Sequence, residues 1–523
     1  VGETHPTTHD VTPTAHTTSP HRTHHHNRDN EPVPHPTADP AGTRTQLAAI
    51  RPDLLDAYDT ALPTARTAIL ARLLIATETE PLPGLTSRHH HHGHTHVRFG
   101  DTLLTYPTTA ATPFTEPATG LHVTVHGRPT DDPAHLAATL WPGTRLTTEL
   151  AESVANLALA RAANPTPTWP THPRPGQIEQ TLVDGHPLHP CCRTRTGMTV
   201  ADQLAYAPEH HPVITLRRLR VPPDRWHGTG EPVLLAHPWQ ATRLHQQYPW
   251  LTDDGPTGPA RPLMSLRTVA PLDGGPHIKT AVDIQMTSAV RTVSPAAVHN
   301  GPLLSTLLHH LTRDLPIDVL AETTAGAVIT DHGPDRRLAH LIRQPPPPDA
   351  VPLGILANQP HRFGDPHQLV KDLGQTFLAP LAQLLDRGIA LEAHGQNSLA
   401  ILRDGRITRI LYRDLGGIRV HPARLKAAGH DIPPLHGDLP TDDDTELRTK
   451  LAAAALATVT RQLIANAGTD PDPLWHTTAT ALRHHPHLLT EPLPVKATTA
   501  MRLADNPLHD LWTHLPNPMA AHA

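Results

Sequence analysis

The chain has 523 residues, 37% of them hydrophobic but only 3% aromatic, with 60 prolines, 44 histidines and a formal net charge of -6. That length suits roughly two to four structural units with cores of Leu, Ala, Val and Ile, and the mild negative charge excludes any bulk attraction to nucleic acid or an anionic membrane. The two cysteines, Cys191 and Cys192, are adjacent, which argues against a disulfide framework, and the sequence has no apolar run of about 18 residues and no charged-then-apolar leader, so a cytoplasmic protein is expected.

Residues 1–43 are rich in Thr, His and Pro and lack apolar periodicity. Such a segment cannot bury enough surface to offset its ordering entropy, and a disordered tail is expected. Region 44–184 opens on helical spacing, with Leu47, Ile50, Leu54 and Leu55 and then Ile69, Leu70, Leu73 and Leu74. Val97 to Val125 reads as short strands. Leu146, Leu150, Val154 and Leu157 mark an amphipathic helix, and a further helix is expected to run to Asp184 and stop at Gly185.

Region 185–345 is expected to be β-rich. Strands are predicted at Val213 to Leu216, Val233 to Ala236, Ser265 to Ala270 and His277 to Gln285, the last two flanking the turn Asp273-Gly274-Gly275. A helix follows at Leu303, Leu304, Leu307, Leu308 and Leu311. Region 346–523 is predicted to hold a helix after about 366, a strand ending near His394, a second hairpin at Asp404-Gly405, and helices from about 444 onward. The fold class is mixed α+β.

Two clusters carry chemistry. In the first, alternation puts Ser265, Arg267 and Val269 on one strand face and Lys279, Ala281 and Asp283 on the next, so Arg267 and Lys279 are neighbours. Two cations side by side repel unless an anion separates them. Thr287, Ser288 and Arg291 follow, and a helix starting there would add free N–H groups, completing an anion seat. The competing reading is a solvated hairpin with an ordinary cap.

The second cluster is Glu392, His394, Gly395, Gln396 and Asn397, which the Asp404-Gly405 turn returns beside Arg413 and Asp414. Glu392 and Asp414 offer hard oxygen ligands suited to Mg²⁺; the competing reading is a polar turn closed by an ion pair. This cluster resembles small-molecule phosphotransferases of kinase-like fold, which place a catalytic Asp just after His-Gly. Here Gln396 stands there, and Gln cannot accept a hydroxyl proton. A carboxylate is already an ionised nucleophile at neutral pH, so the substitution favours carboxylate activation.

Other polar groups are weaker. His186, His189, Arg193 and Arg195 could hold a carboxylate. His237 suits a structural role. His89 to His92, His94 and His96 read as composition in a loop rather than a metal tract, and the cysteines have no nucleophile arrangement around them.

Taken in order, Gly185-His186-Pro187 through Gly197, His237-Pro238-Trp239-Gln240, Ser265-Leu266-Arg267-Thr268, Lys279, Thr287-Ser288 with Arg291, Gly301-Pro302, His394-Gly395-Gln396-Asn397, Arg413-Asp414, Lys496-Ala497 and Met501-Arg502-Leu503 form a pattern. It resembles the aerobactin-synthetase-like (IucA/IucC) family, the NRPS-independent siderophore (NIS) synthetases, over roughly residues 145–510. The resemblance implies a cupped hand with thumb (44–184), fingers (185–345) and a palm (346–523) with kinase-like metal-site features. It implies that Ser265, Arg267, Thr268, Lys279, Arg343 and Gln396 bind ATP, and that Glu392 and Asp414 hold Mg²⁺. It implies that His186, His189, Arg195, Thr287, Ser288, Arg291, His394, Asn397 and Lys496 face the substrate, with Arg291, Lys279 and His394 catalytic. The family usually has Lys where Arg193 stands.

The activity so implied is ATP-dependent adenylation of citrate or a citrate derivative. Condensation with a polyamine- or hydroxamate-type amine, or an alcohol, follows, with release of AMP and pyrophosphate during siderophore assembly. Dimers are common in the family. Two other readings compete: a kinase-like phosphotransferase, which would yield ADP, and a non-enzymatic His-rich metal-binding protein.

Overall fold

Apolar residues at helical spacing account for the first ordered elements of the computed structural model, which describes residues 38–523 apart from Glu116, Pro167, Ser288, Pro507 and Leu508. The expected tail therefore lies largely outside the described residues, and its limit at 43 is corrected: the helix Pro40–Ile50 starts earlier, with Asp39 as N-cap accepting the Gly42 N–H at 2.6 Å and Pro40 at the first helical position. The helices Leu55–Thr79 and Leu146–Ala163 pack on a five-stranded antiparallel sheet in consecutive order, Leu85–His91, His94–Phe99, Thr102–Pro107, Val123–Val125 and Arg128–Thr130. Leu47, Leu70, Leu73, Val97, Leu104, Leu150 and Val154 share their core.

The histidine tract is a hairpin, not the expected loop. His89 pairs with His96 and His91 with His94. Thr95, Val97 and Phe99 face inward while His94 and Arg98 face solvent. Alternation of period two was present in the sequence and was masked by composition.

The middle of the chain builds a six-stranded antiparallel sheet in the order Ala260–Pro262, Thr268–Pro271, His277–Thr280, Gly333–Arg343, Glu322–Thr330 and Trp226–Gly228. The expected hairpin strands were too long at the ends away from the turn. Ser265 lies outside the first, and the second stops at Thr280. Gln285–Met286 and Ala289–Val290 instead form a separate two-stranded ribbon. No helix starts at Thr287, which sits in the ribbon turn at φ +53°. The helix begins at Pro295, capped by Ser294, and runs to Thr312.

The C-terminal part holds the largest core cluster. Its four-stranded sheet orders Ile317–Val319, Arg406–Tyr412, Ser398–Arg403 and Val351–Pro352. Arg403 pairs with Arg406, so Asp404-Gly405 is a two-residue turn with both φ positive, the form that matches strand twist. The chain from 444 is not all helical: Leu493–Lys496 pairs with Trp512–Leu515. Between them the helix Thr498–Leu503 crosses to the N-terminal helices, where Ala500 N–H donates to Glu80 at 2.8 Å and Arg502 pairs with buried Glu149. Residues 38–523 belong to one compact unit, and among the described residues no helix is long and apolar enough to cross a membrane.

Candidate active site

Residues paired across antiparallel strands share a face. Thr268 pairs with Lys279; His277 pairs with Arg343, and Arg343 in turn with Glu322. Lys279 lies two residues from His277, so all five project from one face of the sheet. Arg267 enters this group from just outside its strand. Its carbonyl accepts both the N–H and the hydroxyl of Thr280 at 2.9 Å, and its guanidinium donates to Thr292 O at 2.5 Å. The Ser265 hydroxyl donates to that of Thr268 at 3.0 Å. Arg291 is fixed through its backbone, which exchanges hydrogen bonds with Ile284 and Val282.

These cations are under-neutralised. Burial, then the charges of Arg291 and Arg343 among others, hold Arg267 down to about 10. Burial and Arg413 do the same to Arg343. Arg343 is 3% exposed, and its Nε, the Nε of Arg291 and the Nδ1 of His277 are buried without a partner. The two orphaned guanidinium N–H groups are costly unless an anion meets them.

The acidic side arrives from 135 residues further along. Asp414 follows the strand Arg406–Tyr412 at φ +74°, and Lys279 Nζ donates to both its oxygens at 2.7 Å. Burial alone would raise this carboxyl, but Lys279 and Arg343 overcome it and hold it well below the ordinary carboxylate range. Glu392 stands on the other side of the same turn: a Cβ on Gly417 would lie 2.0 Å from its Oε2, so the carboxylate packs directly on that glycine, and a Cβ on Gly416 would lie 4.0 Å from Asp414 Oδ1. Lys450 and Lys496 approach Glu392 at 3.7 and 3.9 Å, and Lys496 also pairs with Asp510 at 3.0 Å.

Three histidines close the cleft. His186 is exposed yet lowered to about 4, first by the protein packed around it and then by His394, Arg72 and Arg291. A group that is solvent-accessible and still deep among protein atoms lines a concave surface. In each of His186, His189 and His394 the Nδ1 accepts a backbone N–H two residues on, at 3.2, 3.0 and 3.2 Å. The proton of each neutral ring is therefore on Nε2, a donor. His189 Nε2 is buried and without a partner. Burial lowers His394 as well.

The predicted residues divide. Ser265, Arg267, Thr268, Lys279, Arg343 and Asp414 meet on the cationic face, with Arg291, His186, His189 and His394 beside it and Glu392, Gln396 and Lys496 at its acidic edge. Thr287 lies in the ribbon turn, where its hydroxyl reaches Cys192 O at 3.5 Å. Ser288 lies outside the described residues. Asn397 is committed to its own loop, donating to Glu392 O at 3.2 Å and accepting the Arg413 N–H at 2.9 Å. Arg195 does not reach the substrate side: its guanidinium donates to Glu209 at 2.7 and 3.0 Å and to Gln203 at 2.6 Å, all three residues buried, so its charge is already met.

Three groups escaped the sequence reading. Glu322 is raised to about 7 by burial and then by Asp414. His277 enters only through strand register. Glu179 binds Arg413 at 2.6 and 2.8 Å. The Arg-Asp dipeptide was visible, but the partner of its arginine lies 234 residues away.

The donor set fits a magnesium-bound polyphosphate. Asp414 and Glu392 supply hard oxygens, and Mg²⁺ uses one or two carboxylates together with phosphate oxygens. Among the described residues no group of three or more His, Cys, Asp or Glu side chains forms a metal cage without the phosphate.

The IucA / IucC family model matches residues 176–232 and 228–358, the span of the cationic face. A model described as ferric iron reductase FhuF-like transporter matches residues 367–508, the span from which Glu392 and Asp414 come. The chain is 26% identical over 350 residues to staphyloferrin A synthase of Staphylococcus aureus, covering 55% of this chain and 60% of that protein. It is 24% identical over 361 residues to D-ornithine–citrate ligase of the same organism, covering 52% and 54%. It thus spans a little over half the length of the curated relatives it matches. Its fold is that of ATP-bound aerobactin synthetase IucA from Klebsiella pneumoniae, with TM-score 0.70, 18% identity and coverage of 87% and 99%. The petrobactin biosynthesis protein AsbB from Bacillus anthracis matches with TM-score 0.73, 16% identity and coverage of 90% and 98%. A family model over the cationic face, relatives named staphyloferrin A synthase and D-ornithine–citrate ligase, and the fold of aerobactin synthetases point the same way: over residues 176–358 the chain is similar to the IucA / IucC family.

Proposed function

We propose that the chain is an ATP-dependent ligase of siderophore assembly. It adenylates a carboxylate of citrate or a citrate derivative and condenses the acyl group with an amine or alcohol, releasing pyrophosphate and then AMP. The observation that carries this reading is the Lys279–Asp414 pair, which joins the cationic face to the acidic turn. The relatives named D-ornithine–citrate ligase and citryl-spermidine ligase support citrate with an amine as the substrate class. The thumb, fingers and palm correspond in this reading to residues 44–184, 185–345 and 346–523.

In the reaction, Ser265, Thr268, Arg267, Lys279 and Arg343 hold the triphosphate. Arg291 lies between this group and the histidines, suiting it to charge that builds on the α-phosphate as the carboxylate attacks and pyrophosphate leaves. Mg²⁺ on Asp414 and Glu392 would neutralise phosphate charge when bound. His186, His189 and His394 present neutral Nε2–H donors to the substrate carboxylates. With Nδ1 already accepting a backbone N–H, His394 is a hydrogen-bond donor to the acyl group and not the base for the incoming amine. Lys496 closes the acidic edge.

Nucleotide products decide between this and phosphoryl transfer. The chain is incubated with ATP, Mg²⁺ and citrate, a citryl monoamide, α-ketoglutarate or a succinyl-amine, with hydroxylamine as acyl acceptor. AMP and pyrophosphate in equal amounts, dependent on one of the acids, are expected. ADP as the acid-dependent product would replace adenylation by phosphotransfer.

A further inference from the structure

Glu322 is 2% exposed and held from three sides. Its backbone N–H donates to the Ser305 hydroxyl at 2.8 Å. Its Oε1 accepts the Leu415 N–H at 3.2 Å. Its Oε2 fills the space beside Gly301, where a Cβ would stand 2.7 Å away. Such a fixed carboxylate within reach of Asp414 has a consequence for the backbone there. Asp414 sits at φ +74° and ψ 88°, a conformation that residues other than glycine keep only when their surroundings over-determine it.

Three contacts do so. Lys279 holds the Asp414 carboxylate, the Tyr412 hydroxyl donates to Asp414 O at 3.2 Å, and Glu322 takes the next N–H along the chain. In the reaction proposed above, Lys279 turns from Asp414 to phosphate, and the first contact is lost when Asp414 is needed. The Glu322–Leu415 bond makes no such switch, because it joins a carboxylate that is buried and fixed to a backbone N–H.

We propose that Glu322 is a positioning residue: by accepting the Leu415 N–H it keeps the Asp414 backbone in its left-handed conformation, and so keeps the Asp414 carboxylate in place for the metal–nucleotide once Lys279 has left it. This rests on the nucleotide reading of the cleft. It requires the carbonyl-type oxygen of residue 322 and not its charge, so Gln should replace Glu and Ala should not.

The test separates binding from turnover. Mn²⁺ binding to the full chain is followed by electron paramagnetic resonance with a non-cleavable α,β-methylene ATP analogue. Loss of an outer contact to a metal-holding group weakens metal binding about tenfold or more, which is expected for Glu322→Ala, while Glu322→Gln should stay within about threefold of the parent chain. Gly301→Ala, which pushes the same carboxylate away from Leu415 without removing it, should shift Mn²⁺ binding in the direction of Glu322→Ala and serves if that variant does not fold. Parent-like Mn²⁺ binding in Glu322→Ala or in Gly301→Ala overturns the proposal. Equal losses in Glu322→Gln and Glu322→Ala also overturn it, since charge would then be the requirement. A parent chain that binds no Mn²⁺ with the analogue overturns the nucleotide reading itself, a result distinct from either variant outcome.

Discussion

Two arginine clusters in this molecule are in opposite states. Arg193 and Arg195 close around Glu209, which is 0% exposed: Arg193 donates to it at 3.1 Å and to the carbonyls of Val183 and Leu182, and Arg195 donates at 2.7 and 3.0 Å and to Gln203. Arg267 is repelled by both Arg291 and Arg343, and those two each keep a buried Nε with no partner. A closed cluster has its charge already met by the carboxylate inside it and gains little from a further anion. An open one costs stability until an anion arrives, and that cost is what makes it a binding site.

The closed cluster gives the largest expected effect. Glu209→Ala leaves two buried guanidinium groups without their carboxylate, which should cost about 3–5 kcal/mol of stability by denaturant unfolding. The pH dependence has a definite sign. Burial would raise Glu209, but Arg193 and Arg195 hold it far below the ordinary value of 4.5. Its contribution is therefore present above the unfolded-state pKa and is lost as pH falls below it. The gap in unfolding free energy between the parent and Glu209→Gln should be full at pH 7 and narrow steadily below about pH 4.5. A gap that widened toward acid would contradict the closed-cluster assignment.

The open cluster should respond in activity instead. Arg291→Ala removes a charge-assisted contact to the α-phosphate in the transition state, worth about 3–4 kcal/mol or a hundred- to thousandfold in pyrophosphate release. Its unfolding midpoint should change little or rise, since a repelled cation is removed. Parent-like pyrophosphate release at saturating substrates would end the assignment of Arg291.

How much of this was legible from sequence follows from the range of each interaction. The turns at Asp273-Gly274-Gly275 and Asp404-Gly405 and the helix through Leu303 to Leu311 are local and were read correctly. The meeting of Lys279 with Asp414 spans 135 residues and was reached through the order of short motifs rather than through spacing. What failed was everything that needed a partner's identity. Arg195 reads like a ligand-binding arginine until Glu209 is found beside it. Glu322 opens a strand whose polar first residue has no meaning until register sets it opposite Arg343. The condition of a helix starting at Thr287 is not met, because hydroxyl residues favour turns as well as caps, and Gln285–Met286 pairs with Ala289–Val290 instead.

The smallest effect separates the two clusters in a single experiment. An anion that binds only the folded chain stabilises it by RT ln(1 + [L]/Kd), about 1.4 kcal/mol at ten times Kd. Inorganic pyrophosphate with Mg²⁺ should therefore raise the unfolding midpoint of the parent chain. Arg343→Met removes one of the orphaned donors and keeps the bulk of the side chain, so it should lose most of that increment. Arg195→Met should keep it, whatever its starting stability, because the Arg195 charge is already met by buried Glu209. Comparing increments rather than midpoints cancels the structural cost of each substitution. If Arg195→Met lost the increment and Arg343→Met kept it, the closed and open clusters would have to exchange roles, and with them the location of the nucleotide.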